Sequence, residues 1–225
     1  MHIVIDRFVL SCLLRQIKRS SRLRKILTRF NKYQTLNKLT EKRCMMRFSF
    51  VTPAFNNEEY IEMTLDSIPK EYAYEIIVCD DASTDRTLEI LENYQKTCPQ
   101  LKILKHEEKK GSSETYNDCL AAVTGDYVVI IDSDDIFLPT INDVLDQIDG
   151  TFDIYYYNML TKEGLRYIHG PINWAGNFKI FQSSLIGDAK YTNEGGVQDF
   201  YNSLLANSPT TKHTDIFAYW YNFPK

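Results

Sequence analysis

Tyr127-Val128-Val129-Ile130-Ile131-Asp132-Ser133-Asp134-Asp135 changes character in its middle. Five apolar residues, most of them β-branched, give way to four of which three are acidic. A run that is apolar on both faces and short predicts a strand buried on both sides. Three more β-prone runs precede it, at Phe48–Val51, Glu75–Cys79 and Leu101–Lys105. The four begin about every 26 residues, which is the length of a strand, a loop and a returning helix. Helical patterns fill the gaps. Ile61, Leu65 and Ile68 form a stripe, with Asn56 and Asn57 as N-caps and Pro69 as the stop. Leu88, Leu91 and Tyr94 repeat that pattern after Ser83–Asp85, and Ser113–Val123 makes a helix of smaller residues ending near Gly125. The alternation predicts an α/β fold, a mostly parallel sheet flanked by helices, with ligands bound outside the carboxyl ends of its strands.

Outward from this core the composition divides the 225 residues in two. Residues 1–47 hold thirteen Lys/Arg against two acids, so the remaining thirteen bases face twenty-eight acids. Leu10, Leu13, Leu14 and Ile17, then Leu23, Ile26, Leu27 and Phe30, fall at helical spacing among the basic residues. Residues 1–46 therefore read as a basic amphipathic helical extension suited to an anionic membrane surface, and 47–225 as the folded domain. An acidic body argues against nucleic acid as partner. Five scattered cysteines without a CxxC pair favour reduced thiols. No apolar run approaches the ~20 residues of a spanning helix. These features predict a cytoplasmic protein, peripheral on the inner face of the membrane.

The chemistry is expected at the strand ends. Strand one runs into Thr52-Pro53-Ala54-Phe55-Asn56, strand two into Asp80-Asp81-Ala82-Ser83-Thr84-Asp85, and strand four into Asp132-Ser133-Asp134-Asp135. Carboxylates clustered on one edge repel and raise one another's pKa, and a divalent cation relieves that cost. Mn²⁺ or Mg²⁺ prefers carboxylates together with substrate phosphate.

These residues carry a resemblance. Phe50–Tyr60, Asp80–Thr87, the set Gly111, Asn117 and Gly125-Asp126-Tyr127, and Asp132–Asp135 resemble, in order, four motifs of the family 2 glycosyltransferases. The resemblance is strongest over Phe48–Pro139. It implies a GT-A fold whose nucleotide-sugar-binding half spans 47–138 and whose acceptor-side half spans 139–225. It implies a nucleotide-sugar donor, most often a UDP-sugar, contacted by Pro53, Phe55, Asn56, Asp81, Asp132, Ser133 and Asp134. Asp132 and Asp134 correspond to a DxD pair, and with Asp135 they are the expected metal ligands. No GxxxxGK[ST] loop is present to hold the diphosphate in the metal's place.

Inversion at the anomeric carbon needs a general base opposite the leaving group. Gly170–Phe181 is similar to the stretch that precedes the acceptor site in that family, which makes Trp174 an acceptor-side residue. Gly195–Phe200 resembles its Glu-Asp motif and makes Asp199 the base, with Gln198 in place of the usual Glu. No QxxRW-type motif follows, which favours non-processive transfer to a glycan or lipid-linked glycan precursor. Two other classes share part of the pattern. A sugar-nucleotide-binding protein without turnover would account for Gln198. A nucleotidyltransferase would need a Gly-rich basic loop after the first strand, which this sequence lacks.

Overall fold

Phe48–Ala54 (β1) has six of its seven residues buried, because it is paired on both edges and covered on both faces. Ala73–Asp80 (β2) and Tyr127–Ile130 (β4) flank it in parallel, and Leu101–Lys105 (β3) pairs parallel outside β2. The expected runs are thus strands, with β1 and β2 longer than the sequence pattern suggests. The computed structural model describes residues 46–167, 179–194 and 196–221. The expected extension, up to residue 45, and Trp174 lie outside the described residues.

Helices α1 (Ile61–Ser67), α2 (Thr87–Gln95) and α3 (Ser112–Ala121) connect the parallel strands. The second half is mixed. Ile136–Phe137 (β5) and the short helix α4 (Ile141–Leu145) lead to Ile154–Thr161 (β6), which forms a hairpin with Gly164–Arg166 (β7). Lys179–Gln182 (β8), helix α5 (Val197–Leu205) and Thr211–Trp220 (β9) follow. The sheet order is β3-β2-β1-β4-β8-β6-β9-β5, with β7 beside β6. β8 pairs antiparallel to β4, so the parallel half continues into the mixed half as one sheet. Tyr155, Tyr156 and Tyr157 on β6 are at most 1% exposed and belong to the core. Among the described residues no helix is long and apolar enough to cross a membrane.

Asn56 and Asn57 do not cap α1: Tyr60 holds the N-cap position and makes no side-chain cap bond. Asn56 takes the left-handed conformation (φ 50°). Its Oδ1 accepts from Thr84 N–H (2.8 Å) while its own N–H donates to Ser83 Oγ (3.0 Å). Asn57 N–H donates to Thr87 Oγ1 (2.7 Å), and its side-chain amide donates to Ser133 Oγ. The asparagines serve the neighbouring loops rather than their own helix, as short polar side chains at tight turns commonly do.

Candidate active site

Three loops meet at the carboxyl edge of the parallel strands. Glu58 N–H donates to Asp85 Oδ2 (3.0 Å), and Glu58 Oε2 accepts from Arg86 N–H (2.9 Å), which joins the first loop to the second. Thr64 Oγ1 on α1 donates to the carbonyls of Ser133 (3.0 Å) and Asp135 (2.8 Å), which joins the first helix to the acidic loop. Between the loops opens a cavity of about 420 Å³. Pro53 and Phe55 line it from the first loop, Asp81 from the second, and Asp132, Ser133 and Asp134 from the fourth strand's end.

Six of the expected donor-site residues therefore share one cavity. Asn56 does not line it and instead braces the second loop. Asp135 does not line it either: it is 1% exposed, and its Oδ2 accepts from Tyr219 Oη (2.8 Å). The same Tyr219 oxygen accepts from Asp132 N–H (3.2 Å). Burial pushes the Tyr219 phenol well above its ordinary pKa, so it remains an O–H donor. A strand more than eighty residues downstream thus holds the acidic loop from behind. Asp135 braces this loop, which leaves Asp132 and Asp134 as the acids on the cavity side.

Helix α3 supplies what sequence reasoning missed. Ser112, Thr115 and Tyr116 line the cavity, and Tyr116 Oη donates to Asp132 Oδ1. Lys109, in the loop before α3, lies 3.5 Å over the Phe55 ring and also lines the cavity. A cation at that distance from an aromatic face is held by the ring quadrupole. Gly111, which with Asn117 belongs to the third motif of the sequence, takes φ 94° and makes the sharp turn into this helix N-terminus.

Asp81 is 2% exposed and well furnished with donors. Oδ1 accepts from Lys110 N–H (2.8 Å) and meets His106 Nδ1 (2.7 Å), while Oδ2 accepts from Gly111 N–H (2.9 Å). Burial alone would raise the carboxyl, but these hydrogen bonds outweigh it and hold Asp81 below the usual carboxylate range.

Asp199 lies in the first turn of α5, and its Oδ2 accepts from Thr192 Oγ1 (2.5 Å). It does not line the cavity. Stacked rings connect the two places: Tyr116 on Tyr191 and Tyr191 on Phe200, each with centroids 4.4 Å apart. Asn117 fixes Tyr191 by a reciprocal pair, donating to its carbonyl (3.0 Å) and accepting from its N–H (2.9 Å). Gln198 donates along the helix to Asn202 Oδ1 (2.7 Å).

The donor set suits a hard divalent cation. Among the described residues no group of three or more His, Cys, Asp or Glu is placed to hold a metal. Asp132 and Asp134 would be two carboxylate ligands, leaving other positions for phosphate oxygens and water, which is how Mg²⁺ is commonly bound.

A parallel half-sheet that presents carboxylates to a cavity at its carboxyl edge, with a mixed half bracing the acidic loop, is the GT-A architecture. The chain belongs to glycosyl transferase family 2, whose family model matches residues 49–201. It is 38% identical over 96 residues to poly(ribitol-phosphate) beta-N-acetylglucosaminyltransferase TarS of Staphylococcus aureus (strain Mu50 / ATCC 700699), covering 40% of this chain and 17% of TarS. It is 30% identical over 132 residues to the putative teichuronic acid biosynthesis glycosyltransferase TuaG of Bacillus subtilis (strain 168), covering 55% of this chain and 52% of TuaG. The chain thus spans about half, or less, of these relatives. The crystal structure of S. aureus TarS 1-349 in complex with UDP-GlcNAc superposes with a TM-score of 0.68 at 26% identity, covering 78% of this chain and 58% of that one.

Proposed function

We propose that this chain is an inverting, non-processive glycosyltransferase that moves a sugar from a UDP-sugar to a hydroxyl of a glycan or lipid-linked glycan precursor. The carrying observation is the convergence of Asp81, Asp132 and Asp134 on one cavity at the carboxyl edge of parallel strands. The solved relative that supports the donor class holds UDP-GlcNAc. TarS is named for transfer to poly(ribitol-phosphate) and TuaG for teichuronic acid biosynthesis, which supports a glycan acceptor.

In this mechanism Asp81 accepts an N–H from the nucleobase, and Pro53 and Phe55 pack against the base. Lys109 sits where it can neutralise part of the diphosphate. Asp132 and Asp134 would hold Mn²⁺ or Mg²⁺, which when bound supplies Lewis-acid stabilisation of the departing diphosphate. Tyr116 and Tyr219 orient the acidic loop from either side. Asp199 takes the proton from the acceptor hydroxyl as the new bond forms, and Thr192 holds that carboxylate in place. Residues 1–46 would bring the domain to an anionic membrane surface.

The test follows UDP release from UDP-N-acetylglucosamine, UDP-glucose and UDP-galactose with Mn²⁺ and poly(ribitol-phosphate), other glycan or lipid-linked acceptors. Asp199→Asn should lower kcat about a hundredfold or more, the usual worth of a general base, while donor affinity stays unchanged. Normal turnover in that variant would remove Asp199 from the mechanism. Tight binding without release under any acceptor would favour a binding module instead.

A further inference from the structure

His106 stands one layer behind the cavity, and the mechanism above leaves it without a task. Its side chain is 5% exposed and engaged on both ring nitrogens: Nδ1 lies 2.7 Å from Asp81 Oδ1 and Nε2 2.8 Å from Asp118 Oδ2. Its backbone N–H is fixed to the Asp80 carbonyl (2.9 Å). Ionised carboxylates only accept hydrogen bonds, so both contacts are favourable only when both ring nitrogens carry protons. A neutral ring would set a lone pair against an oxygen on one side or the other.

The groups facing this ring come from three directions. Asp81 lies just beyond β2, and Cys79 on β2 places Sγ 3.5 Å from Nε2. Asp118 approaches from α3. Lys110, from the loop before α3, puts Nζ 3.1 Å from the same Asp118 oxygen. With the imidazolium and Lys110 set against two carboxylates, this cluster is neutral. Loss of the ring proton leaves it one negative charge in excess, beside a cavity meant for a diphosphate. Burial pulls the His106 pKa down, but the bonds to Asp81 and Asp118 outweigh it and hold it above the ordinary histidine value. Asp81 is the member of the cluster that lines the cavity.

We propose that His106 is a positioning residue for donor binding: its imidazolium pins the Asp81 carboxylate toward the nucleobase and cancels charge that would repel the diphosphate. Donor affinity then follows the His106 proton. This rests on the nucleotide-sugar reading of the cavity and adds a pH dependence to it. Binding is tight while the ring is protonated and weakens as pH rises past the ordinary histidine range.

The experiment is calorimetric titration of the full chain with UDP-N-acetylglucosamine and Mg²⁺ between about pH 6 and 8.5, across the histidine range. This donor's diphosphate is a diester and does not itself titrate there. Wild-type affinity should fall about tenfold across the range, the equivalent of one pKa unit of coupling. His106→Gln should bind weakly with no pH dependence. Asp118→Asn should keep the low-pH affinity but move the midpoint down by about one pH unit, because one of the two stabilising charges is gone. Asp118 is 42% exposed, so this variant tests the proposal even if His106→Gln fails to fold. Cys79→Ala should leave the profile in place, since the thiol is the other group near enough to titrate.

Tight but flat binding in the wild type overturns the role of His106 and leaves the donor reading intact. An unmoved midpoint in Asp118→Asn, or a pH dependence that vanishes in Cys79→Ala, overturns it equally. Folded wild-type protein that binds no UDP-sugar at any pH overturns both.

Discussion

The parallel strands carry carboxylates at both ends, and the two ends treat them differently. At the amino end Glu75 is 1% exposed and surrounded by donors of the chain itself: Ser49 Oγ (2.6 Å), Thr124 N–H (2.7 Å) and Lys102 Nζ (2.6 Å). Asp126 there pairs with Arg47 (2.8 Å). At the carboxyl end Asp81, Asp132 and Asp134 line a cavity of about 420 Å³, and among its described lining residues Lys109 is the one base. An acid paired by its own fold helps to hold that fold. Acids that outnumber the cations around a cavity are the ones that the proposed function assigns to a cation arriving with the donor. Asp81 stands between the two cases, because its backbone donors and His106 fix it while it still faces the cavity.

The sharpest way to break this contrast is Asp134→Ala. If the carboxyl edge serves chemistry, the variant should lose about a hundredfold or more in donor turnover, the scale of one group that stabilises transition-state charge. Its thermal midpoint should stay within about 2 °C of wild type, as for a change away from the core. A large drop in melting temperature together with lost activity would erase the distinction between the edges.

Glu75→Ala should behave in the opposite way. It leaves Ser49 and the Thr124 N–H without their buried acceptor and opens a void in β2. The expected cost is about 3 kcal/mol, or roughly 6–12 °C in thermal midpoint for a domain of this size. UDP-sugar affinity should be unchanged. Burial works to raise the Glu75 carboxyl, but Lys102, Ser49 and Thr124 hold it below the ordinary glutamate value. Its share of stability is therefore present above that ordinary value and lost as pH falls through the depressed one. Denaturation curves taken against pH should show part of the acid slope disappear in the variant. An equally steep acid slope would place the acid sensitivity elsewhere.

How much of this was legible in the sequence follows the range of the interactions. The parallel strands and the acidic loop are local patterns, so Tyr127–Ile130 and its aspartates could be read directly from apolar runs and their ends. Asp135 sits in the same run as Asp132 and Asp134, and nothing local shows that it turns inward. Tyr219 decides that, and it arrives from β9 after the chain has built the whole mixed half. Lys109 and Tyr116 were missed for a related reason. Periodicity reports which face of α3 packs on the sheet, but not that the helix N-terminus opens on the cavity. Asn56 and Asn57 were mistaken for caps because cap residues and loop-bridging residues have the same chemistry, and only the neighbouring loop tells them apart. His106 carries no local signal, because the two carboxylates that meet its ring nitrogens come from other elements of the chain.

Gly125 offers the finest test of the amino edge. A Cβ at this position would stand 2.5 Å from Ser49 Oγ and 2.7 Å from the Arg47 carbonyl oxygen. That carbonyl accepts from Asp126 N–H (2.7 Å) and Tyr127 N–H (3.1 Å), so it cannot easily retreat. Glycine is needed here because two backbones approach closely. Gly125→Ala should therefore cost about 2 kcal/mol, typical of forcing one extra carbon into a packed site. Part of that cost would come from pushing Ser49 off Glu75, because Gly125 N–H and the Glu75 carboxylate share the same hydroxyl. The double variant Gly125→Ala/Glu75→Ala should then lose less stability than the sum of the two single changes, since neighbours with a common partner are not additive. Urea unfolding of the four proteins measures this coupling. Strict additivity would mean that the glycine and the buried glutamate support the amino edge independently, and the picture of one connected network there would fail.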